Sequence, residues 1–242
     1  MNYFGHAAIA SQRDEGPAFV LGSMLPDLCA MVGMDCPRGN NGDLNAGIEF
    51  HLSTDSLFHQ TEMFTSHNRR ALAELRTLGI SRGPARACAH MGVEMLIDAV
   101  LAEQHEYLEA YREALLFGAK ELSLLSGGTI HLSLSLAQRI KLKALLAFLA
   151  EKGAWVFESS YLRLRDRLHG ALSNRSRLCP SEQELAHIAT WLEQDRFVRP
   201  DVTFLLHELR FLKNQVFLAP VAVRDVTSRT EDCGTQNHRQ GD

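Results

Sequence analysis

Apolar residues recur at helical spacing almost from the first position. Residues 3–11 form a short apolar run carrying His6, and the cluster Gln12-Arg13-Asp14-Glu15-Gly16-Pro17 ends it. Residues 18–27 then run apolar until Asp27 follows Pro26, and residues 35–43, rich in Gly, Asn and Pro, predict an irregular connection. From about 45 to 76 the spacing of Phe50, Leu57, Phe58, Phe64, Leu72 and Leu75 predicts one long helix or two abutting ones. Residues 78–86 break the pattern, and Pro84 is placed to start the next helix.

Further amphipathic helices are predicted at about 103–125, 135–152, 156–172, 181–197 and 202–217. Leu142, Leu145, Leu146 and Leu149 keep helical spacing, as do Leu205, Leu209 and Leu212. Ser181 followed by Glu184 reads as a capping box. Strand-like alternation is not sustained anywhere and no repeat of fixed period is present, so the expected fold is all-α, a single helical domain over residues 1–220. Beyond that, residues 221–242 lose periodicity and are expected to be disordered.

Two of the predicted helices carry polar columns. His51, Asp55 and His59 are four residues apart in 47–59, and His90, Glu94 and Asp98 repeat the step in 89–101, where apolar neighbours predict burial. Buried ionisable groups persist only when paired or metal-bound, so the two columns are expected to face each other around a shared site. Asp27 is equally suited to capping a helix start and to joining this site. His67, beside Arg69 and Arg70, reads as a further site residue or as part of a solvated face. Arg82 and Arg86 flank a helix start, where backbone donors favour an anion; they are candidate phosphate clamps as well as ordinary loop residues.

Composition narrows the chemistry. A net charge of -4 over 242 residues gives no general attraction to nucleic acid or to an anionic membrane. No apolar run reaches membrane-spanning length and the opening residues lack a signal-peptide pattern, so a cytoplasmic protein is expected. Cys29, Cys36, Cys88, Cys179 and Cys233 have no paired spacing and read as reduced and mostly structural. The remaining His and Glu of the second half, such as Glu109, His131 and His187, recur in no column and read as solvated or locally paired. Phosphate loops, the serine-hydrolase elbow and the zinc-protease helix motif are all absent. Ligands drawn from His and carboxylate suit Mn²⁺, Fe²⁺, Zn²⁺ or Mg²⁺, with mixed N/O sets favouring the transition ions, and metal-assisted phosphoester hydrolysis is the expected chemistry. In that scheme His59 or Glu94 handles a proton.

The stretches Met1-Asn2-Tyr3-Phe4-Gly5-His6-Ala7, Gly22-Ser23-Met24-Leu25-Pro26-Asp27, Gly47-Ile48-Glu49-Phe50-His51-Leu52-Ser53-Thr54-Asp55 and Gly92-Val93-Glu94-Met95-Leu96-Ile97-Asp98 resemble, in that order, the acyl carrier protein phosphodiesterase family. That family is similar to the HD-type phosphohydrolases: all-helical, using a divalent ion, usually manganese, and removing phosphopantetheine from holo-acyl carrier protein. The resemblance implies site roles for His6, Asp27, His51, Asp55 and Asp98, an HD-like bundle and an acyl carrier protein partner. An acidic carrier would need a basic patch, for which Arg69, Arg70, Arg82 and Arg86 are available. The chain departs from the family pattern at Leu52, His59, Glu94 and Ala99, and His90 is outside it. These departures support two alternatives, a non-catalytic metal- or partner-binding protein on the same frame and an HD-type nucleotide phosphohydrolase, although the adjacent His-Asp pair of the latter is missing.

Overall fold

Side-chain caps divide the hydrophobic pattern into helices. The computed structural model describes residues 1–13, 15–123, 131–153 and 161–194. Among them lie α1 (Tyr3–Ala10), α2 (Pro17–Met31), α3 (Gly42–Phe58), α4 (Glu62–Thr77), α5 (Arg82–Leu101), α6 (His105–Glu121), α7 (Leu136–Lys152), α8 (Tyr161–Leu172) and α9 (Glu182–Gln194). Asn41 accepts a hydrogen bond from the Leu44 amide at 2.9 Å and starts α3 three residues earlier than the apolar spacing suggested. Thr61 accepts from the Phe64 amide at 3.2 Å, so the long run over 45–76 is two helices rather than one. Each such cap is worth about 1 kcal/mol. Ser135 and Gln138 make a reciprocal capping box at the start of α7, a second box beside the predicted one at Ser181 and Glu184, whose side chains each accept from the other's neighbourhood at the start of α9.

Helix α2 runs straight through Pro26. Proline lacks the amide that would bond back to Gly22, a loss of about 3 kcal/mol in a helix interior, yet the burial of α2 against α1, α3, α6 and α7 outweighs it. Asp27 therefore stands inside a helix and caps nothing, which removes the capping alternative.

The closest crossing is that of α2 with α3. A Cβ on Gly22 would lie 2.2 Å from the Leu44 carbonyl oxygen, and one on Gly47 would lie 2.2 Å from the Phe19 carbonyl oxygen. Backbone meets backbone here, so side chains one turn further along each helix are brought together. Helix α1, with all eight of its residues buried, lies against α2, α3, α5 and α6. On the other side, α4 packs on α5, and α8 and α9 close over them. Gly92 lets the Trp191 ring approach α5, with a Cβ there only 2.9 Å from the ring, and the indole N–H donates to Glu74 at 3.1 Å.

Among the described residues there is no strand; an isolated antiparallel bridge, Gly39 to Leu132, ties the connection before α3 to the segment before α7. The chain is thus all-α, and no described helix is long and apolar enough to cross a membrane. The helix expected at 202–217, the tail expected at 221–242 and Cys233 lie outside the described residues. Cys29, Cys36, Cys88 and Cys179 are free thiols, two of them fully buried.

Candidate metal centre

The four-residue step survives in both columns. His51 and Asp55 project from α3, and His59, its C-cap, keeps helical dihedrals of -66° and -13°. His90, Glu94 and Asp98 project from α5. Instead of one shared site, the six side chains and their neighbours form two clusters and a separate anchor.

The first cluster joins three helices. One ligand atom each of His6 (α1), Asp27 (α2) and His51 (α3) lie within 4.8 Å of one another, and the two imidazole rings are 3.9 Å apart between centroids. Both tautomers are fixed by partners on the crossing helices, a backbone carbonyl for His51 and a threonine hydroxyl for His6. His51 Nδ1 is 2.8 Å from the Ser23 carbonyl oxygen, which can only accept, so the ring donates from Nδ1 and Nε2 keeps its lone pair. Thr54 gives its hydroxyl proton to the Phe50 carbonyl oxygen at 2.7 Å and therefore accepts from His6 Nδ1 at 3.3 Å. His6 Nε2, too, keeps a lone pair.

That lone pair faces an acceptor. His6 Nε2 is 3.5 Å from Asp55 Oδ1, and it is buried with no hydrogen-bond partner, as is Asp27 Oδ2. Burial holds the His6 imidazole down to about 3, so it is neutral at any physiological pH. His51 is also lowered, chiefly by burial. Burial pushes the Asp27 carboxyl up to about 7, against the pull of the Met1 amino group. Two imidazole lone pairs and the Asp27 carboxyl converge here, and Asp55, paired with the Met1 amino group, lies 3.5 Å from His6. The donor set fits a divalent ion, and its N/O mixture favours Mn²⁺, Fe²⁺ or Zn²⁺ over Mg²⁺.

The second cluster is built differently. One ligand atom each of His59, His90 and Glu94 lie within 4.8 Å of one another. His59 Nε2 is 2.9 Å and His90 Nε2 3.3 Å from the same oxygen, Glu94 Oε1, and the Met1 nitrogen is 3.1 Å from it. The far nitrogen of His59, Nδ1, is 3.3 Å from Asp55 Oδ2. Hydrogen bonds to Asp55 and then Glu94 raise His59 to about 9, which makes it an imidazolium in the metal-free protein. Glu94 and Asp55, though burial opposes it, are held well below the usual carboxylate range by their histidine partners and the Met1 amino group, which donates to Asp55 Oδ1 at 2.6 Å. The His59 and His90 rings stack at 4.8 Å, and Phe64 presents an edge-to-face contact to each at 4.8 and 5.1 Å. Asp55 thus touches both clusters, with Oδ1 toward His6 and Oδ2 toward His59.

Asp98, expected among the ligands, belongs to neither cluster. Its carboxylate is fully buried, with Oδ1 accepting from the Gly5 amide at 3.0 Å and Oδ2 from the Asn2 side chain at 2.7 Å. Asn2 is the cap of α1 and Gly5 lies in its first turn, so Asp98 fastens the N-terminus of α1 to α5 and thereby positions His6. Burial pushes the Asp98 carboxyl up to about 7, opposed by the charge of Arg167 on α8 and by these two donors. His67 is buried on α4 rather than on a solvated face. Arg82 and Arg86 are both exposed on α5; Arg86 stands one turn before His90, about 6 Å along the axis, and Arg82 one turn further out. Ser23, Thr54, Asn2 and Gly5 were invisible as site residues because each acts through a partner distant in sequence. A Thr three residues after a candidate His is a weak signal at best.

Compared with family models, curated proteins and solved structures, the chain matches none.

Proposed function

We propose that this protein is a metal-dependent phosphoester hydrolase, most simply a phosphodiesterase as the acyl carrier protein phosphodiesterase resemblance implies, with His6, Asp27, His51 and Asp55 holding one divalent cation, manganese favoured. The observation that carries this reading is the pair of buried, unpartnered acceptors, His6 Nε2 and Asp27 Oδ2, directed at a second imidazole and a second carboxylate. A histidine core built for packing would hydrogen-bond its buried nitrogens, and His6 Nε2 has no such bond. When bound, a divalent cation in such a site supplies Lewis acidity toward a phosphoryl oxygen and draws the pKa of water toward neutrality.

The chain's own groups do the rest. Ser23 and Thr54 hold the two imidazoles in the ligating tautomer. Glu94, kept ionised by His59 and His90, and His59 itself are placed to hold or accept a proton next to the ion site. Arg86 is the nearer of the two exposed arginines for a substrate phosphate, and Arg69 and Arg82 extend a positive face toward an acidic carrier protein. Arg70 is drawn to Glu74 at 2.8 Å and contributes less.

The test reads metal content and hydrolysis on the same samples. The manganese-reconstituted parent is expected to retain metal after desalting, to hydrolyse bis(p-nitrophenyl) phosphate and to release phosphopantetheine from holo-acyl carrier protein by mass. His6→Ala and His51→Ala should lose metal and turnover together. A parent without metal would overturn the reading. One observation favours the second reading, a metal- or partner-binding protein without hydrolysis: next to His51, where the family carries an Arg, Leu52 is 53% exposed. Stoichiometric metal with no turnover on any phosphoester would select it.

A further inference from the structure

The proton-holding role just given to His59 uses two carboxylates and nothing more. Asp55 on Nδ1 and Glu94 on Nε2 suffice for it. His90 is superfluous to that arrangement, yet its Nε2 is turned onto the same Glu94 oxygen at 3.3 Å. Three nitrogens, those of His59, His90 and Met1, thus converge on one carboxylate oxygen. A carboxylate oxygen has two lone pairs, so three donors crowd it. A cation at the focus of the two imidazoles and the carboxylate accounts for the same convergence without crowding.

We infer that His59, His90 and Glu94 form a second divalent-cation site, joined to the first through Asp55, so that the loaded protein carries two ions. The inference rests on the metal-dependent reading above, and in the loaded protein His59 and Glu94 serve as ligands in place of the proton-holding role given to them there. Two imidazole nitrogens and one carboxylate are a recurrent three-ligand set for catalytic ions, which keep their remaining positions open. The open side is present: the His90 side chain is 44% and that of His59 28% exposed, while Glu94 is 11% exposed. The closed side is present too, since Phe64 meets both rings edge-on and fixes their planes.

Asp55 supplies the outer support such sites require. With the ion on Nε2, His59 keeps its other proton on Nδ1 and donates it to Asp55 Oδ2, the carboxylate–histidine–metal arrangement that orients a ligating ring. The other oxygen of Asp55 is the one facing His6, so a single side chain ligates one ion and orients a ligand of the next. An ion at the second site takes the place of the Met1 nitrogen at Glu94 Oε1. The same amino group donates to Asp55 Oδ1 at 2.6 Å, so it stands at both sites.

The experiment counts ions in the full chain. Apoprotein is equilibrated with Mn²⁺, desalted and assayed for manganese per chain, alongside His90→Ala and His6→Ala, with a calorimetric Mn²⁺ titration of each. Because His90 is partly exposed, its loss leaves the fold intact, and far-UV circular dichroism checks this; His90→Gln repeats the measurement with a side chain of similar size. Two ions per chain in the parent and one ion in both His90 variants support the inference. One ion in the parent, retained by both His90 variants and lost in His6→Ala, overturns the second site and leaves the first. No ion in any sample overturns both.

Discussion

Replacing Asp27 by Asn should change stability with opposite signs in the metal-free and the metal-loaded protein. Asp27 ionises near 3.8 in the unfolded chain and, through burial, near 7 in the folded one. The folded state therefore binds more protons than the unfolded state between those values. Stability of the chelated protein falls as pH rises through that window and levels off above it. A shift of about 3 units corresponds to about 4 kcal/mol. The Asp27 side chain is 32% exposed, so solvent screening reduces this to about 2 kcal/mol. An amide of the same shape avoids that cost but leaves its own buried atoms poorly paired, a loss of about 1 kcal/mol that does not vary with pH. In EDTA, Asp27→Asn should be near neutral or slightly less stable at pH 5 and gain on the parent by roughly 1–2 kcal/mol on going to pH 8. With Mn²⁺ at a hundred times its dissociation constant the parent gains about 2.7 kcal/mol, the variant little, and the order at pH 8 reverses. Reversible urea unfolding, followed through the fluorescence of buried Trp191, reads both conditions. A parent–variant difference that is the same at pH 5 and pH 8 in EDTA, or equal stabilisation of both by Mn²⁺, would refute the reasoning.

Two further substitutions test separate statements. Asp98→Asn should leave the manganese count unchanged while lowering the unfolding free energy by roughly 2–3 kcal/mol, because a buried carboxylate accepting from Gly5 and Asn2 is lost; loss of metal in a fully folded variant would return Asp98 to the ligand set. Gly47→Ala places a methyl group 2.2 Å from the Phe19 carbonyl oxygen and should destabilise by about 2–3 kcal/mol or more in urea unfolding, whereas an effect under about 0.5 kcal/mol would mean that the α2–α3 crossing is not backbone-on-backbone.

Much of the fold was legible because helices are local. The spacing of Phe50, Leu57 and Phe58 on α3, or of Leu142, Leu146 and Leu149 on α7, follows from the helical repeat alone. The boundary at Thr61 was harder, since a hydroxyl bonding to Phe64 interrupts the apolar spacing without changing it. Asp27 after Pro26 suits a helix cap when read by itself, and only the burial of α2 between its neighbours carries the helix through both residues. The functional pairings were less legible still. Nothing near Asp98 announces Asn2 and Gly5, more than ninety residues away, as its partners, and His67 is buried although it adjoins Arg69 and Arg70 in sequence.

The two columns do not converge on one focus, for a reason that the helical repeat itself supplies. Residues eight apart on a helix are displaced by about 12 Å along its axis. Donor atoms on one ion, at about 2.1 Å each, lie within about 4.2 Å of one another. His51 and His59 therefore cannot ligate one ion from the same unbroken column, and each turns to what faces it at its own level: His51 to His6 and Asp27, His59 to Glu94 and His90. The middle rung is the one that can serve both levels. A carboxylate does so with two oxygens, and Asp55 directs one to His6 and the other to His59. On α5 the same displacement separates Glu94, level with His59, from Asp98, which has moved past the site and holds the start of α1. A column of alternating imidazole and carboxylate at four-residue steps is thus better read as spanning adjacent sites than as enclosing one.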